Sequence, residues 1–75
     1  MDALTLRAKL SKRIVKLREE RKMTSEQLAN KIGLSKSGLR YIERGMKDPR
    51  VSTLEMIADG LRIPIVDLFH FEEGA

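Results

Sequence analysis

Apolar residues recur along this chain with the period of an α-helix, in five segments. Leu6, Leu10, Ile14 and Leu17 stand four, four and three positions apart, lining one face of a helix predicted over about residues 5–22. Leu28, Ala29 and Ile32 form the inner face of a second, shorter helix. Thr24 followed three residues later by Gln27 marks its start, because hydroxyl and amide can each satisfy a backbone group that the first turn leaves unpaired. Gly33 closes it, where a helix C-terminus commonly turns left-handed. Ser35 caps a third helix over residues 36–44, with Leu39 and Ile42 inward and Gly45 at its end.

Beyond Gly45 the pattern breaks. Pro49 cannot continue a helix and pushes Asp48 toward extended backbone, so residues 46–50 read as a loop. Ser52 with Glu55 is a second candidate capping box, opening a fourth helix over residues 53–60 that turns Leu54, Ile57, Ala58 and Leu61 inward. Pro64 sits near the first position of a last short helix through Phe69, where its missing N–H costs little. No repeat, low-complexity tract or Pro/Gly/Ser-rich linker interrupts the chain. The expected architecture is all-α, five helices in a single domain over residues 1–75, with a tail at 70–75 that is mobile or rests on a partner.

A chain of 75 residues buries a modest share of its surface, and without cysteine it has neither disulfide nor thiolate metal site to compensate. Its core must therefore be tightly packed or shared with a second subunit. No apolar run approaches the roughly 20 residues of a membrane span, and no charged-then-apolar leader opens the chain, so the expected location is cytoplasmic with no membrane partner. Enzymatic chemistry is not expected. His70 is the single histidine and reads as a solvated surface residue, Ser35 and Ser37 have no histidine to activate them, and no glycine-rich phosphate loop is present. One histidine beside Glu72 and Glu73 supplies too few ligands for a metal, and no cofactor or small-molecule ligand is expected.

Charge adds a direction. The formal net charge is +4, with a pI near 9.8. Residues 7–50 hold fourteen of the fifteen lysines and arginines against five acids, net +9, whereas residues 51–75 set Arg62 against Glu55, Asp59, Asp67, Glu72 and Glu73, net −4. One end suits a polyanion and the other does not. Within the cationic part, two short helices joined by Gly33-Leu34-Ser35 leave little room between them, which explains the methyl side chain of Ala29 and gives Leu34 the role of plug. An ordinary helical hairpin would use the same apolar positions. The surrounding charge favours a DNA-binding helix-turn-helix over residues 24–45.

The segment from Ile14 to Phe69 resembles the lambda-repressor/Cro-like family, also called the Xre family, of bacterial and phage regulators. The resemblance rests on Leu17-Arg18, Thr24-Ser25-Glu26-Gln27-Leu28-Ala29, Gly33-Leu34-Ser35, Ile42-Glu43-Arg44-Gly45, Pro49, Leu54-Glu55-Met56-Ile57-Ala58 and Leu68-Phe69. It implies a five-helix lambda-repressor-like domain of restriction-modification controller or phage-repressor type, acting as a homodimer on palindromic double-stranded DNA. It also implies that Lys36, Ser37, Arg40 and Tyr41 enter the major groove. Their chemistry suits this: Lys36 and Arg40 offer donors to guanine, Ser37 donates or accepts, and Tyr41 can meet a thymine methyl or a phosphate. At 3.6 residues per turn the four share one face, opposite Leu39 and Ile42. Phosphate contacts are implied for Ser25, Asn30, Arg44, Lys47 and Arg50, and a structural ion pair for Arg18 with Glu43. Two features depart from the family pattern. Gly38 lies within the reading helix, where glycine costs roughly 1 kcal/mol relative to alanine. Residues 1–9 lengthen the first helix, and Arg7, Lys9, Lys12 and Arg13 read as solubilising charges rather than as DNA contacts.

The acidic end carries Ile63, Ile65, Val66, Leu68, Phe69 and Phe71, six apolar residues in nine positions. One short helix cannot bury them all, so residues 63–71, and in particular Ile65, Leu68, Phe69 and Phe71, form the expected dimer surface. A two-fold contact there would set two reading helices about 34 Å apart, one turn of B-DNA. The expected function is that of a transcriptional regulator of its own operator. An antitoxin that binds its own operator shares the fold, and an RNA-binding or purely protein-binding helical module would show no preference for a duplex palindrome.

Overall fold

Every α-helix of the computed structural model ends the same way, whether or not a glycine is there to make the turn. The structure describes residues 5–71; residues 1–4 and 72–75, with part of the N-terminal extension and the acidic tail, lie outside the described residues. Helix α1 spans Leu6–Glu20, α2 Ser25–Ile32, α3 Lys36–Glu43 and α4 Val51–Leu61, and a 3-10 helix follows at Ile65–Phe69. Past each α-helix one residue turns left-handed, Lys22 at φ 57°, Gly33 at 79°, Gly45 at 71° and Arg62 at 60°. The next amide then reaches back five residues: Met23 N to Arg18 O at 3.2 Å, Leu34 N to Ala29 O at 2.9 Å, Met46 N to Tyr41 O at 3.0 Å, Ile63 N to Ala58 O at 3.0 Å. Carbonyls orphaned at each helix end are thereby satisfied.

Side chains open the first three helices. Thr5 Oγ1 accepts from Ala8 N at 3.1 Å, and Thr24 and Gln27 form the reciprocal capping box, 3.0 and 2.8 Å. Ser35 Oγ accepts from Gly38 N at 3.0 Å. Gly38 is therefore a third-position residue whose missing Cβ matters, because a Cβ there would lie 2.8 Å from the capping oxygen.

Each element contributes to one core. Ile14, Leu28, Leu39, Ile57, Leu61 and Leu68 are the largest fully buried side chains, each stabilising the fold by roughly 1.5–3 kcal/mol. Helix α2 packs on α3 and α4, α1 packs on α3 and the 3-10 helix, and α4 meets the 3-10 helix. Met23, Ile32, Leu34, Ile63 and Phe71 pack around this centre, half-buried.

Four expectations need correcting. Among the described residues the elements are four α-helices and a 3-10 helix, because Pro64 to Phe69 closes with shorter-range bonds, Asp67 N to Pro64 O and His70 N to Asp67 O. Leu6 is 59% exposed and takes no part in the core, which begins at Leu10. The second capping box is absent: α4 begins two residues early, directly after Arg50, and has no side-chain cap. Finally, Gly60 does not end α4 but is buried inside it, with the left-handed turn falling on Arg62.

Gly60 is where α4 crosses α2. A Cβ there would overlap Ile32 Cγ2 and lie 3.1 Å from Leu28 Cδ1. Alanine would gain up to about 1 kcal/mol of helix propensity, but overpacking against β-branched Ile32 costs about 1–3 kcal/mol. Gly60→Ala is expected to lower Tm by several degrees, about 4–8 °C per kcal/mol lost. Ile32→Ala should cost less in the Gly60→Ala background than in the wild type. Additive losses in thermal unfolding would show that the two helices are not in close contact.

Candidate nucleic-acid interface

The surface built by α2, its turn and α3 depends on one buried carboxylate. Glu43 is the last residue of α3 and its side chain is 7% exposed, against 12% for Arg18 of α1. Arg18 grips it in a fork, Nε donating to Oε2 at 2.7 Å and Nη2 to Oε1 at 3.2 Å. Ser25, the first residue of α2, donates its hydroxyl to the same Oε1 at 2.6 Å. The remaining Arg18 nitrogen, Nη1, donates to Met23 O at 2.6 Å in the turn before α2. Three helices thus meet on one carboxylate, and its charge is answered internally.

With Glu43 turned in, Lys36, Ser37, Arg40 and Tyr41 are all exposed on α3. Leu39 and Ile42 on the opposite side are buried, which fixes the rotation of the helix. Lys36 Nζ lies 3.5 Å from Glu26 Oε1 in the first turn of α2, a contact with no signal in the sequence beyond an acid near a helix N-terminus. Arg44 follows Arg40 and Tyr41 at helical spacing and continues their stripe. Asn30, Lys47 and Arg50 are exposed on α2 and on the loop beyond Gly45.

Ser25 stands differently from its expected role. Its hydroxyl proton is committed to Glu43, so what it can offer an anion is its backbone N–H. The capping box takes the amides of Thr24 and Gln27, leaving those of Ser25 and Glu26 at the positive end of the helix.

The cations also divide. Arg13 Nε donates to Asp67 O at 2.9 Å. Arg21 donates to Leu61 O at 2.8 Å and Leu17 O at 3.1 Å. With Arg18, three of the fourteen cations in residues 7–50 brace carbonyls inside the domain. Ser11 is a further structural residue that the apolar pattern misses: buried in α1, it places its hydroxyl 2.6 Å from Ile42 O near the end of α3 and 2.9 Å from Arg7 O. Its only signal is its position three residues before Ile14, on the inward face.

At the acidic end Leu68 is 0% exposed. It belongs to the chain's own core and has no surface for a partner, which corrects its place among the expected dimer contacts. Ile65, Val66 and Phe69 are exposed, and Phe69 meets half-buried Phe71 edge to face with centroids 6.2 Å apart. Among the described residues, no helix is long and apolar enough to cross a membrane.

The Helix-turn-helix family model HTH_3 matches residues 14–68. The immunity repressor protein of Bacillus phage phi105 is 46% identical over 56 residues, 75% of this chain and 39% of the phage protein. The transcriptional repressor RghR of Bacillus subtilis is 42% identical over 55 residues, 72% of this chain and 41% of its own. The chain thus spans about two fifths of the length of these two relatives. Among solved structures, the restriction-modification controller protein C.AhdI from Aeromonas hydrophila aligns with TM-score 0.80 at 30% identity, covering 81% of this chain and 92% of that one. The controller protein C.Esp1396I, solved as a tetramer with its natural 35-base-pair operator, aligns with TM-score 0.80 at 38% identity, covering 85% and 84%.

The Glu43 node makes a clear thermodynamic prediction. Arg18→Met leaves a buried carboxylate without its charge partner and is expected to cost about 3 kcal/mol. Arg18→Met combined with Glu43→Leu removes both charges and should recover most of that loss. Urea unfolding measures both; a double variant no more stable than Arg18→Met would show that the unpaired Glu43 charge is not the source of the loss.

Proposed function

Since the chain belongs to the Helix-turn-helix (HTH_3) family, we propose that it is a sequence-specific regulator of transcription that binds a palindromic operator in double-stranded DNA as a homodimer. The observation that carries this reading is the exposed stripe of Lys36, Ser37, Arg40 and Tyr41 on a helix held from behind at Glu43. A reading helix must present its donors at a fixed height and rotation, and this one is fixed by its apolar face, its serine cap and the three-helix node. Lys36 and Arg40 read guanine edges, while Ser37 and Tyr41 read adjacent positions. The α2 amides with Asn30, Arg44, Lys47 and Arg50 hold the flanking phosphates.

The named repressors among its relatives and the operator-bound assembly of its structural neighbour support this role. Its own operator is the target proposed for it. Ile65, Val66 and Phe69 form the proposed two-fold contact, on the acidic end of the chain and away from the stripe. Nothing in the comparisons favours the antitoxin alternative.

Two experiments test the reading. Arg40→Ala should relax preference at one base position of each half-site by about 1–3 kcal/mol, whereas Lys47→Ala should weaken all duplexes alike and lower the salt slope by about one for each half-site. Identical profiles across a library of duplexes would defeat the division into readers and anchors, and affinity independent of salt would defeat DNA binding through phosphates. For assembly, Phe69→Glu should sediment as a monomer at concentrations where the wild type is a dimer. An unchanged dimer would place the interface elsewhere.

A further inference from the structure

The cations of the N-terminal extension, which the sequence alone assigns to solubility, border a cleft that leads away from the reading helix. It encloses about 440 Å³ and is lined by Arg7, Ser11 and Lys12 of α1 and by Glu43, Arg44 and Gly45 at the end of α3. Arg7, Lys12 and Arg44 bring three positive charges to it. Its one acid, Glu43, has both oxygens engaged by Arg18 and Ser25. The first turn of α1 carries no acid, so the positive end of that helix adds to the field. The walls are tied together, because the Ser11 hydroxyl joins α1 to Ile42 O on α3 at 2.6 Å.

The location is as informative as the charge. Arg44 continues the stripe of Arg40 and Tyr41, so the cleft lies at the C-terminal end of the proposed reading face. We infer that the cleft seats a phosphodiester group of the bound duplex, beyond those reached from α2 and the loop after Gly45, with Arg7 and Lys12 as the contribution of α1. This rests on the DNA-binding reading above. Arg7 reaches the site from an exposed ion pair with Asp48, Nη1 to Oδ1 at 3.3 Å; such pairs are weak and exchange readily for a phosphate. A free phosphate ester offers the same chemistry, and the experiment separates the two sources.

The test uses duplex selected by the protein from a random pool, with binding followed by fluorescence anisotropy across a range of salt. Arg7→Ala/Lys12→Ala should bind roughly tenfold more weakly at low salt, with a log–log slope shallower by about 1.8, or about 0.9 for the one phosphate released in each of the two half-sites. Base preference and Tm should not change, since both side chains are exposed. Asp48→Asn should act in the opposite sense and tighten binding. Ethylation interference should find one phosphate in each half-site whose modification hinders the wild type and no longer matters to the double variant. If the wild type binds duplex and the double variant keeps its affinity, slope and interference pattern, the cleft assignment fails while the DNA reading survives. If the wild type shows no salt-dependent duplex binding, the reading itself fails. Saturation of the Arg7, Lys12 and Arg44 amide shifts by micromolar inorganic phosphate, with the double variant's DNA affinity unchanged, would assign the cleft to a free ligand and overturn the inference.

Discussion

The organisation of this domain depends on how it holds one buried carboxylate, that of Glu43. Glu43 ends the helix that carries Lys36, Ser37, Arg40 and Tyr41, and a free carboxylate there would repel phosphate. The chain turns it inward, where burial would be costly without partners. Arg18 supplies a planar fork matched to both oxygens, and Ser25 a third donor. Because these donors come from α1 and α2, neutralising the charge also fixes where α3 stands. A buried ion pair adds little net stability over an apolar substitute. What this one supplies is position, since α3 has eight residues and its apolar contacts alone are two buried side chains.

A second constraint follows from size. With no cysteine and a core built mainly from leucine, isoleucine and alanine, the domain cannot leave helix ends unpaired. Each α-helix therefore closes through a left-handed residue and a five-residue return bond, and arginines of α1 and of its C-terminal cap take further carbonyls at Leu17, Leu61, Met23 and Asp67. Close helix crossing is the complementary economy. Ala29 and Gly60 are small where α2 meets its neighbours, and Gly60 accepts the conformational cost of glycine within a helix because no Cβ fits against Ile32.

These features differ in how far the sequence announces them. Helices α1 to α3 are legible because their signals are local: period-3.6 apolar positions, Thr24 with Gln27, Ser35, Gly33 and Gly45. The ends of α1 and α4 are less so, because Lys22 and Arg62 take conformations that the pattern assigns to glycine, held there by the return bonds of Met23 and Ile63. Gly60 misleads for the converse reason, being a packing glycine that reads like a stop. At the site, the exposed face of α3 follows from spacing alone. The commitment of the Ser25 hydroxyl, the Lys36–Glu26 contact and the burial of Leu68 do not, since each depends on which residue of another element lies opposite.

Charge shows why composition is a coarse guide to an interface. The net +9 of residues 7–50 treats every cation as equivalent, yet Arg13, Arg18 and Arg21 direct their guanidinium groups at backbone carbonyls and a buried carboxylate. All three are arginines, whose several donors can join two elements at once, while the lysines, with a single ammonium on a flexible stem, stay at or near the surface. The cations left outside include those on the stripe of α3, in the loop after Gly45 and in the first half of α1, while Lys22 and Lys31 lie elsewhere. An anion approaching from that side meets charge on three elements whose relative positions Glu43 and Ser11 have already fixed. The positive surface is therefore presented by a rigid frame, and that rigidity is what lets charge contribute to geometry as well as to affinity.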